Sequence, residues 1–352
     1  MPSSLHTLTP LQLTRLGRFA EARPRLSELA DGDRLLAEGN IYLPDEPGRA
    51  KDLFSQAARA LIGDLRDEAR VKEAWAYWAI GETAEAIIIL DSIKARSAYI
   101  EFIWHVTRAV LERHHKASMA FLKAVELLGD DIDDPVWLGQ FYCQRGYLNR
   151  RLKKPDRAIQ DYQSAIMCYE GLGDQVRAAR MKNNLAGVYK DTKRFEDAHE
   201  YVDEAIKTLT GTLKAQAYDQ KAEIYLAQSD YLNAEQCALE SVSLLETTDR
   251  KRLLADSLIT MAQATAGLEK FTEASGLLDR AGEISTYLNN EDLLISVYQG
   301  RAKVATIIET ICKDRAVRLA LETTSNSVLL AADKLDVTRE AVYQFKAKHN
   351  IK

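Results

Sequence analysis

The stretch AGVYKDTKRFEDAHEYVDEAI, residues 186–206, holds three kinds of residue at fixed distances from its central Ala198. A small residue, Ala186, stands twelve places before it, the aromatic Phe195 three before, and a second small residue, Ala205, seven after. The same order returns in GYLNRRLKKPDRAIQDYQSAI (146–166), AEIYLAQSDYLNAEQCALESV (222–242) and AQATAGLEKFTEASGLLDRAG (262–282). There the triplets are Gly146, Ala158 and Ala165; Ala222, Ala234 and Ser241; and Ala262, Ala274 and Ala281. The aromatic place is filled by Tyr231 and Phe271 and, in one case, by Pro155. Small side chains at this spacing let two antiparallel helices cross closely, and the aromatic fills the hole between one hairpin and the next. One hairpin cannot bury its apolar faces alone, so several must stack.

The register continues upstream through Gly17, Phe19 and Ala22; Ala50, Phe54 and Ala57; Gly81 and Ala86; and Ala117, Phe121 and Ala124. This gives about eight hairpins, with central alanines at 22, 50, 86, 117, 158, 198, 234 and 274. The later intervals exceed the roughly 34 residues of the shortest such unit, so each unit carries extra helical turns or longer loops. Over residues 10–288 the pattern resembles the tetratricopeptide repeat. The resemblance implies an all-α fold, a right-handed α-solenoid, with helix or short turn and no strand between about residues 50 and 310. Residues 1–288 are then the array, 289–312 a capping helix or linker, and 313–352 a separate segment. Residues 39–49 (GNIYLPDEPGR) hold two prolines and two glycines and must include a loop.

Composition fits this reading. Of 352 residues 46% are hydrophobic and 28% charged, the balance of a globular chain. The last proline is Pro155, so no ring breaks a helix in the C-terminal half. The net charge of −5 hides an asymmetry: residues 312–352 hold eight Lys/Arg against five Asp/Glu. A basic end on an acidic body is one footprint of nucleic-acid binding. Cys143, Cys168, Cys237 and Cys312 are far apart with no CxxC pair, which suits a reducing compartment. The N-terminal residues lack the basic and apolar regions of a signal peptide, and no stretch is apolar for long enough to span a bilayer. The expected location is the cytoplasm.

The C-terminal residues change pattern. A first helix is expected at about 313–323, a second at Val328 to Leu335, and a third from Arg339 to about Lys348, capped by Thr338. Ala331 and Ala332 allow the last two to cross, and Leu335, Val337, Val342 and Phe345 supply a core. Asp336 falls in the turn, where it tolerates a left-handed backbone. The series Asn326, Ala331-Ala332, Leu335, Val337-Thr338-Arg339, Val342-Tyr343 and Lys346 resembles the Fis-type helix-turn-helix at the C-terminus of many bacterial regulators. That resemblance implies a third helix in the major groove, with Thr338, Arg339, Glu340, Tyr343 and Gln344 facing base edges. Lys346, Lys348 and His349 would reach phosphates. A homodimer is implied as well, because such modules bind paired half-sites. The other reading is a helix pair that merely caps the array.

In tetratricopeptide proteins the first helix of each hairpin lines the concave surface. Here its solvent positions include Tyr147, Arg150 and Arg151, then Arg180, Asn183 and Lys190, then Gln216 and Asp219. Arginine and asparagine in such rows resemble the clamps that peptide-sensing members use on a ligand's backbone or carboxylate. The plainer reading is a solvated helix face. Trp75, Trp78 and Trp104 form either an aromatic patch there or part of the core. The sequence has no GxGxxG, no GxxxxGK[ST] and no HExxH, and His114-His115 lacks a third ligand nearby. No cofactor, metal or catalytic constellation is expected. Asp133-Asp134 reads as a helix start. Two functions follow: a transcriptional regulator that binds a peptide or protein in the array and DNA through residues 313–352, or a scaffold that binds a protein partner and never touches DNA.

Overall fold

The structure, a computed structural model, describes residues 8–43, 46–94, 97–112, 114–132, 134–248, 250–324, 326–348 and 351. Every regular element among them is helical. Asp133 and His349 lie outside the described residues, as do positions 1–7 at the N-terminus. The chain divides into two compact units, Met1–Thr208 and Leu209–Lys352.

In the first unit α1 (Pro10–Arg15) and α2 (Phe19–Ala22) lead through a 3-10 turn, Arg23–Glu28, into five helical pairs. These are α3 (Asp31–Tyr42) with α4 (Pro47–Ala60), α5 (Gly63–Ala79) with α6 (Thr83–Asp91), and α7 (Ala98–Leu111) with α8 (His115–Ala124). Then come α9 (Pro135–Arg151) with α10 (Pro155–Gly171), and α11 (Gln175–Asp191) with α12 (Phe195–Thr208). The second unit holds α13 (Gly211–Ala227) with α14 (Tyr231–Glu246) and α15 (Lys251–Gly267) with α16 (Phe271–Tyr287). It ends in α17 (Glu291–Thr323), α18 (Val328–Leu335) and α19 (Arg339–Lys348).

The small residues lie where the spacing places them. Ala158, Ala198, Ala234 and Ala274 are fully buried, and so are Ala186, Ala222 and Ala262 on the facing helices. Ala165, Ala205, Ser241 and Ala281 close the second contact. The aromatic wedge is visible at Tyr231, whose ring fills the space that a Cβ on Gly267 of the next hairpin would need. Each of the four turns uses one backbone device. Lys153, Lys193, Ser229 and Glu269, five places before the central alanine, adopt φ between 56° and 65°. The following amide then donates back across the turn: Lys154 N–H to Asn149 O (2.8 Å), Arg194 N–H to Tyr189 O (2.9 Å), Asp230 N–H to Tyr225 O (2.9 Å) and Lys270 N–H to Thr265 O (3.1 Å). This six-to-one bond satisfies carbonyls that the helix end leaves free. In the earlier hairpins Gly17 and Gly81 hold the same place at φ 71° and 95°.

One open alternative is decided and two expectations need correction. The extra residues of each unit lie in the helices, which reach 17 residues in α9, α10, α11, α13, α15 and α16, with turns left short. The register at Ala117 is one residue early: Ala117 is half-buried, whereas Ser118 is buried and donates its Oγ to Ala109 O at 2.5 Å. No break separates 289–312 from 313–323; α17 runs through both as one helix of 33 residues. No proline interrupts it, and its one glycine, Gly300, is packed against Ile259 and Leu278, so nothing in the sequence ends the helix before Thr323. Within the stretch 39–49, expected to include a loop, α3 ends at Tyr42 and α4 starts at Pro47.

A buried polar cluster ties the N-terminal helices together. Glu68 on α5 is 1% exposed and receives Lys72 Nζ at 2.7 Å and Arg15 Nε of α1 at 3.1 Å. Lys72 also donates to Asn40 Oδ1 of α3 (2.8 Å), whose amide donates to Thr14 Oγ1 (3.0 Å). Burial alone would push the Glu68 carboxyl up, but the two cations beside it overcome that and hold it below its ordinary range. Nearby, Tyr99 of α7 donates to Asp134 Oδ2 at 2.9 Å. Asp134 caps α9 by accepting from the amides of Val136 and Trp137, and its burial pushes its carboxyl up to about 6.

The hairpin register makes a direct prediction. Ala198→Phe places a ring where α12 crosses α11, a site with no free volume. Overpacking of this kind costs about 1–3 kcal/mol, so the melting temperature should fall by several degrees in a thermal scan followed by circular dichroism. An unchanged midpoint would show that Ala198 is not at the crossing.

Candidate functional site

Within the first unit, α9 and α11 lie side by side as first helices of adjacent hairpins. Positions 147, 150 and 151 of α9 and 180, 183 and 190 of α11 recur at near-helical spacing, so each set forms a stripe. Tyr147 is 43% exposed, and Arg151 and Arg180 are exposed. Arg150 bridges the two helices: its Nε donates to Asp191 at 2.7 Å, and its guanidinium lies over Gly187 in space that any side chain there would occupy. Lys190 comes within 3.9 Å of the same Asp191. Arg180 sits close enough to Cys143 to oppose the burial that pushes that thiol up to about 11. The stripe is therefore cationic, with Arg150 held in place and Arg151 and Arg180 presented to solvent.

Asn183 stands in the middle of the α11 stripe. Its Oδ1 is buried and has no hydrogen-bond partner among the described residues. A buried acceptor left unpaired costs about 1–3 kcal/mol.

In the second unit, Gln216 is exposed on α13 and Asp219, one turn later, is turned inward. Asp219 Oδ1 is also buried without a partner among the described residues. Burial, chiefly, and the neighbouring carboxylates of Glu223 and Asp256 push this carboxyl up to about 7, while the hydroxyls of Thr260 and Ser257 on α15 pull it down. Around Asp219, α13 and α15 thus gather carboxylates, whereas the stripe of α9 and α11 gathers cations.

Residues 317–351 pack as a small three-helix cluster. Its centre is Ala320, Leu321, Ala331, Ala332, Val342 and Phe345, with Val317, Val328, Leu335 and Ile351 around it. Val337, expected in that core, is 43% exposed instead, because the turn carries it outward. Asp336 adopts the left-handed conformation at φ 52°, ψ 47°. Thr338 Oγ1 accepts from the Ala341 amide at 3.2 Å, capping α19. Arg339, Glu340, Tyr343 and Gln344 line one shallow exposed face with Ala347. Lys346 is half-buried to one side.

The tryptophans belong mainly to the core. Trp104 is 8% exposed and donates its indole N–H to Leu90 O at 2.9 Å, and Trp75 packs edge-on to both Trp78 and Trp137. Sequence reading missed the roles of Gly187 and Asp191, which together fix Arg150. The signal was present as a glycine in mid-helix, where only close approach justifies its cost.

Comparison with known proteins supports the fold. A family model described as soluble NSF attachment protein, SNAP, matches residues 110–237. The regulatory protein RapK of Bacillus subtilis (strain 168) is 25% identical over 226 residues, which cover 60% of this chain and 57% of RapK, so the match spans little more than half of that relative. Among solved structures, a Rap protein complexed with competence and sporulation factor aligns over 92% of this chain and 96% of its own, with a TM-score of 0.66 and 12% identity. NprR in complex with its cognate peptide NprX aligns over 84% of this chain and 94% of its own, with a TM-score of 0.60 and 16% identity. The chain has the tetratricopeptide-like helical repeat fold of these proteins.

The raised Asp219 carboxyl yields a pH prediction. The folded state binds this proton more tightly than the unfolded chain, whose aspartate titrates near its usual 3.8. Stability therefore falls as pH rises from about 4 to about 7, and the cost is complete above that window. Asp219→Asn abolishes the ionised form. Its melting temperature should match the parent at pH 4 and exceed it at pH 8, where the stabilisation is on the order of 1–3 kcal/mol. Equal midpoints at both pH values would place Asp219 in water.

Proposed function

We propose that this chain is a binding regulator whose helical array captures an extended peptide or protein segment along the inner faces of its first helices. The observation that carries this is the α11 stripe, where the buried, unpaired Oδ1 of Asn183 stands among Arg180, Arg150 and Lys190. An unpaired carbonyl suits a backbone N–H, and a cationic rim suits a carboxylate. NprR, whose aligned structure holds its cognate peptide NprX, supports the choice of a peptide over other ligands, and the aligned Rap protein, complexed with competence and sporulation factor, likewise binds a factor. The protein acts by binding, without a cofactor, in the cytoplasm. Its four free thiols accord with a reducing compartment, and among the described residues no helix is long and apolar enough to cross a membrane.

A second reading has its own observation. The left-handed turn at Asp336, the capped α19 and the exposed Arg339, Glu340, Tyr343 and Gln344 are the parts a helix-turn-helix needs to enter the major groove. On this reading residues 313–352 bind DNA as one half of a homodimer, and the array is the sensor that modulates it. Without DNA binding the chain is an adaptor.

Two tests separate these readings. A library of short peptides panned over the immobilised parent should leave a retained set, and Arg180→Ala/Asn183→Ala/Lys190→Ala should lose it while keeping the parent's circular dichroism. Equal retention would return the stripe to ordinary solvated surface. For DNA, a gel shift on random-sequence duplex should weaken steeply with salt. Arg339→Ala should cost about 1–3 kcal/mol on selected sequences and relax preference at one base position. Lys346→Ala or Lys348→Ala should weaken all sequences evenly. No shift by the parent would leave the adaptor reading.

A further inference from the structure

The last helix of the array is a first helix without its second. In each hairpin before it, a following helix packs along the first. α17 lies against α15 and α16 through Leu293, Val297, Gly300 and Val304, with Gly300 small enough to admit Ile259 and Leu278. Its other side stays open among the described residues. Ile295, Tyr298, Ala302, Ala305, Cys312 and Leu319 are all exposed on it. The three large ones are 52%, 62% and 60% exposed. Their intervals of three, four and seven keep the 3.5-residue period of a helix-pairing seam over 24 residues, about 36 Å of helix. The chain's own α18 and α19 do not cover this seam, because they pack around Val317, Ala320 and Leu321 on a different side.

We propose that a second copy of this chain lies antiparallel along the seam of α17. Glu309 selects the direction. It occupies a seam position, ion-paired to Lys313 at 2.5 Å, and in a parallel pair it would face its own copy. In an antiparallel pair centred near residue 307, Glu309 meets Ala305 and so avoids its own copy; Arg301, one turn further along, stays paired with Asp279 of α16. The same register sets Ile295 beside Leu319 and Ala302 beside Cys312, so large residues close the ends and alanines let the backbones approach in the middle. A strip about 36 Å long and one helix wide, paired with its copy, buries at most about 1,200 Å² in total. That area belongs to weak, reversible complexes, so the dimer should dissociate in the micromolar range. The register also sets the two Leu321 residues, where the C-terminal clusters begin, about 42 Å apart, close to one turn of DNA between half-sites. That agreement rests on the DNA-binding reading; the open seam does not.

Sedimentation of the full chain without DNA, from about 1 to about 200 µM, reads the proposal. A reversible monomer–dimer equilibrium is expected, and Ala305→Arg should raise its Kd by about tenfold or more, since the position is exposed in the monomer and a charge there is buried only in the dimer. Mild oxidation of Ala302→Cys should join two chains through the introduced thiol and Cys312; these sites share one helix about 15 Å apart within a chain, too far to close internally. The parent should not link through Cys312 alone. A parent that stays monomeric to the highest concentration, a dimer indifferent to Ala305→Arg, or efficient Cys312–Cys312 linkage in the parent would each overturn the proposal. A monomer that still shifts DNA would remove the dimer and spare the DNA reading. A dimer with this chemistry that shifts no DNA would do the reverse.

Discussion

Two helices can cross at the distance of an alanine only if nothing larger stands at the contact, and this structure repeats that contact hairpin after hairpin. Ala186 against Ala198, Ala222 against Ala234 and Ala262 against Ala274 are all without exposed surface. The close approach fixes how each second helix lies on its first. It also fixes which side of the first helix is left for solvent or a ligand. The apolar cost of using alanine in the core is met by long neighbours further from the crossing, such as Tyr162 and Tyr169 on α10, both 1% exposed. The turn completes the unit. A left-handed residue five places before the central alanine sends the chain back at once, with no loop to blur the register.

The first unit begins differently. Its leading helices are joined by Arg15, Asn40, Glu68, Lys72, Tyr99 and Asp134, an arrangement in which each charge has a partner and burial is offset by hydrogen bonds. Such a cluster adds little net stability compared with a hydrophobic one, but it tolerates only one alignment of the helices that supply it. Where the alanine register is irregular, as before residue 50, this polar alignment takes over the task of positioning. The trade explains why the repeat pattern fades toward the N-terminus while the helices persist.

Much of this was legible because alanine and glycine at helix crossings leave a positional trace. Ala158, Ala198, Ala234 and Ala274 marked four hairpins to the residue, and the turn at Asp336 and the cap at Thr338 followed from local chemistry. Three things were not. Ser118 replaced Ala117 at one crossing, because serine is nearly as small and hides its hydroxyl on a carbonyl. The left-handed turn residues are lysine, serine and glutamate in the later hairpins, types that carry no turn signal of their own. The continuity of α17 was hidden because a change in hydrophobic pattern looks like a boundary, although it marks only a change in what the helix packs against. The groove residues were read from spacing alone. Their order of importance came from what spacing cannot show: Arg150 is tethered by Asp191 over Gly187, while Asn183 and Asp219 each bury an oxygen without a partner among the described residues.

Unspent hydrogen-bonding capacity and unspent apolar surface therefore occur in different places, and for one reason. A stacked array satisfies the face between hairpins by repetition, so its unsatisfied groups collect where repetition stops serving them. On the first helices of each unit these are polar: Asn183 in the cationic stripe of α11, Asp219 beside the carboxylates of Glu223 and Asp256. At the last first helix they are apolar: Ile295, Tyr298 and Leu319 along a side that no second helix covers among the described residues. Polar groups call for a ligand that brings donors and charge, and an open helical seam calls for another helix. On the proposed reading the polar stripe binds a peptide and the open side of α17 pairs with a second copy, so that sensing and assembly fall on different faces of one stacked array.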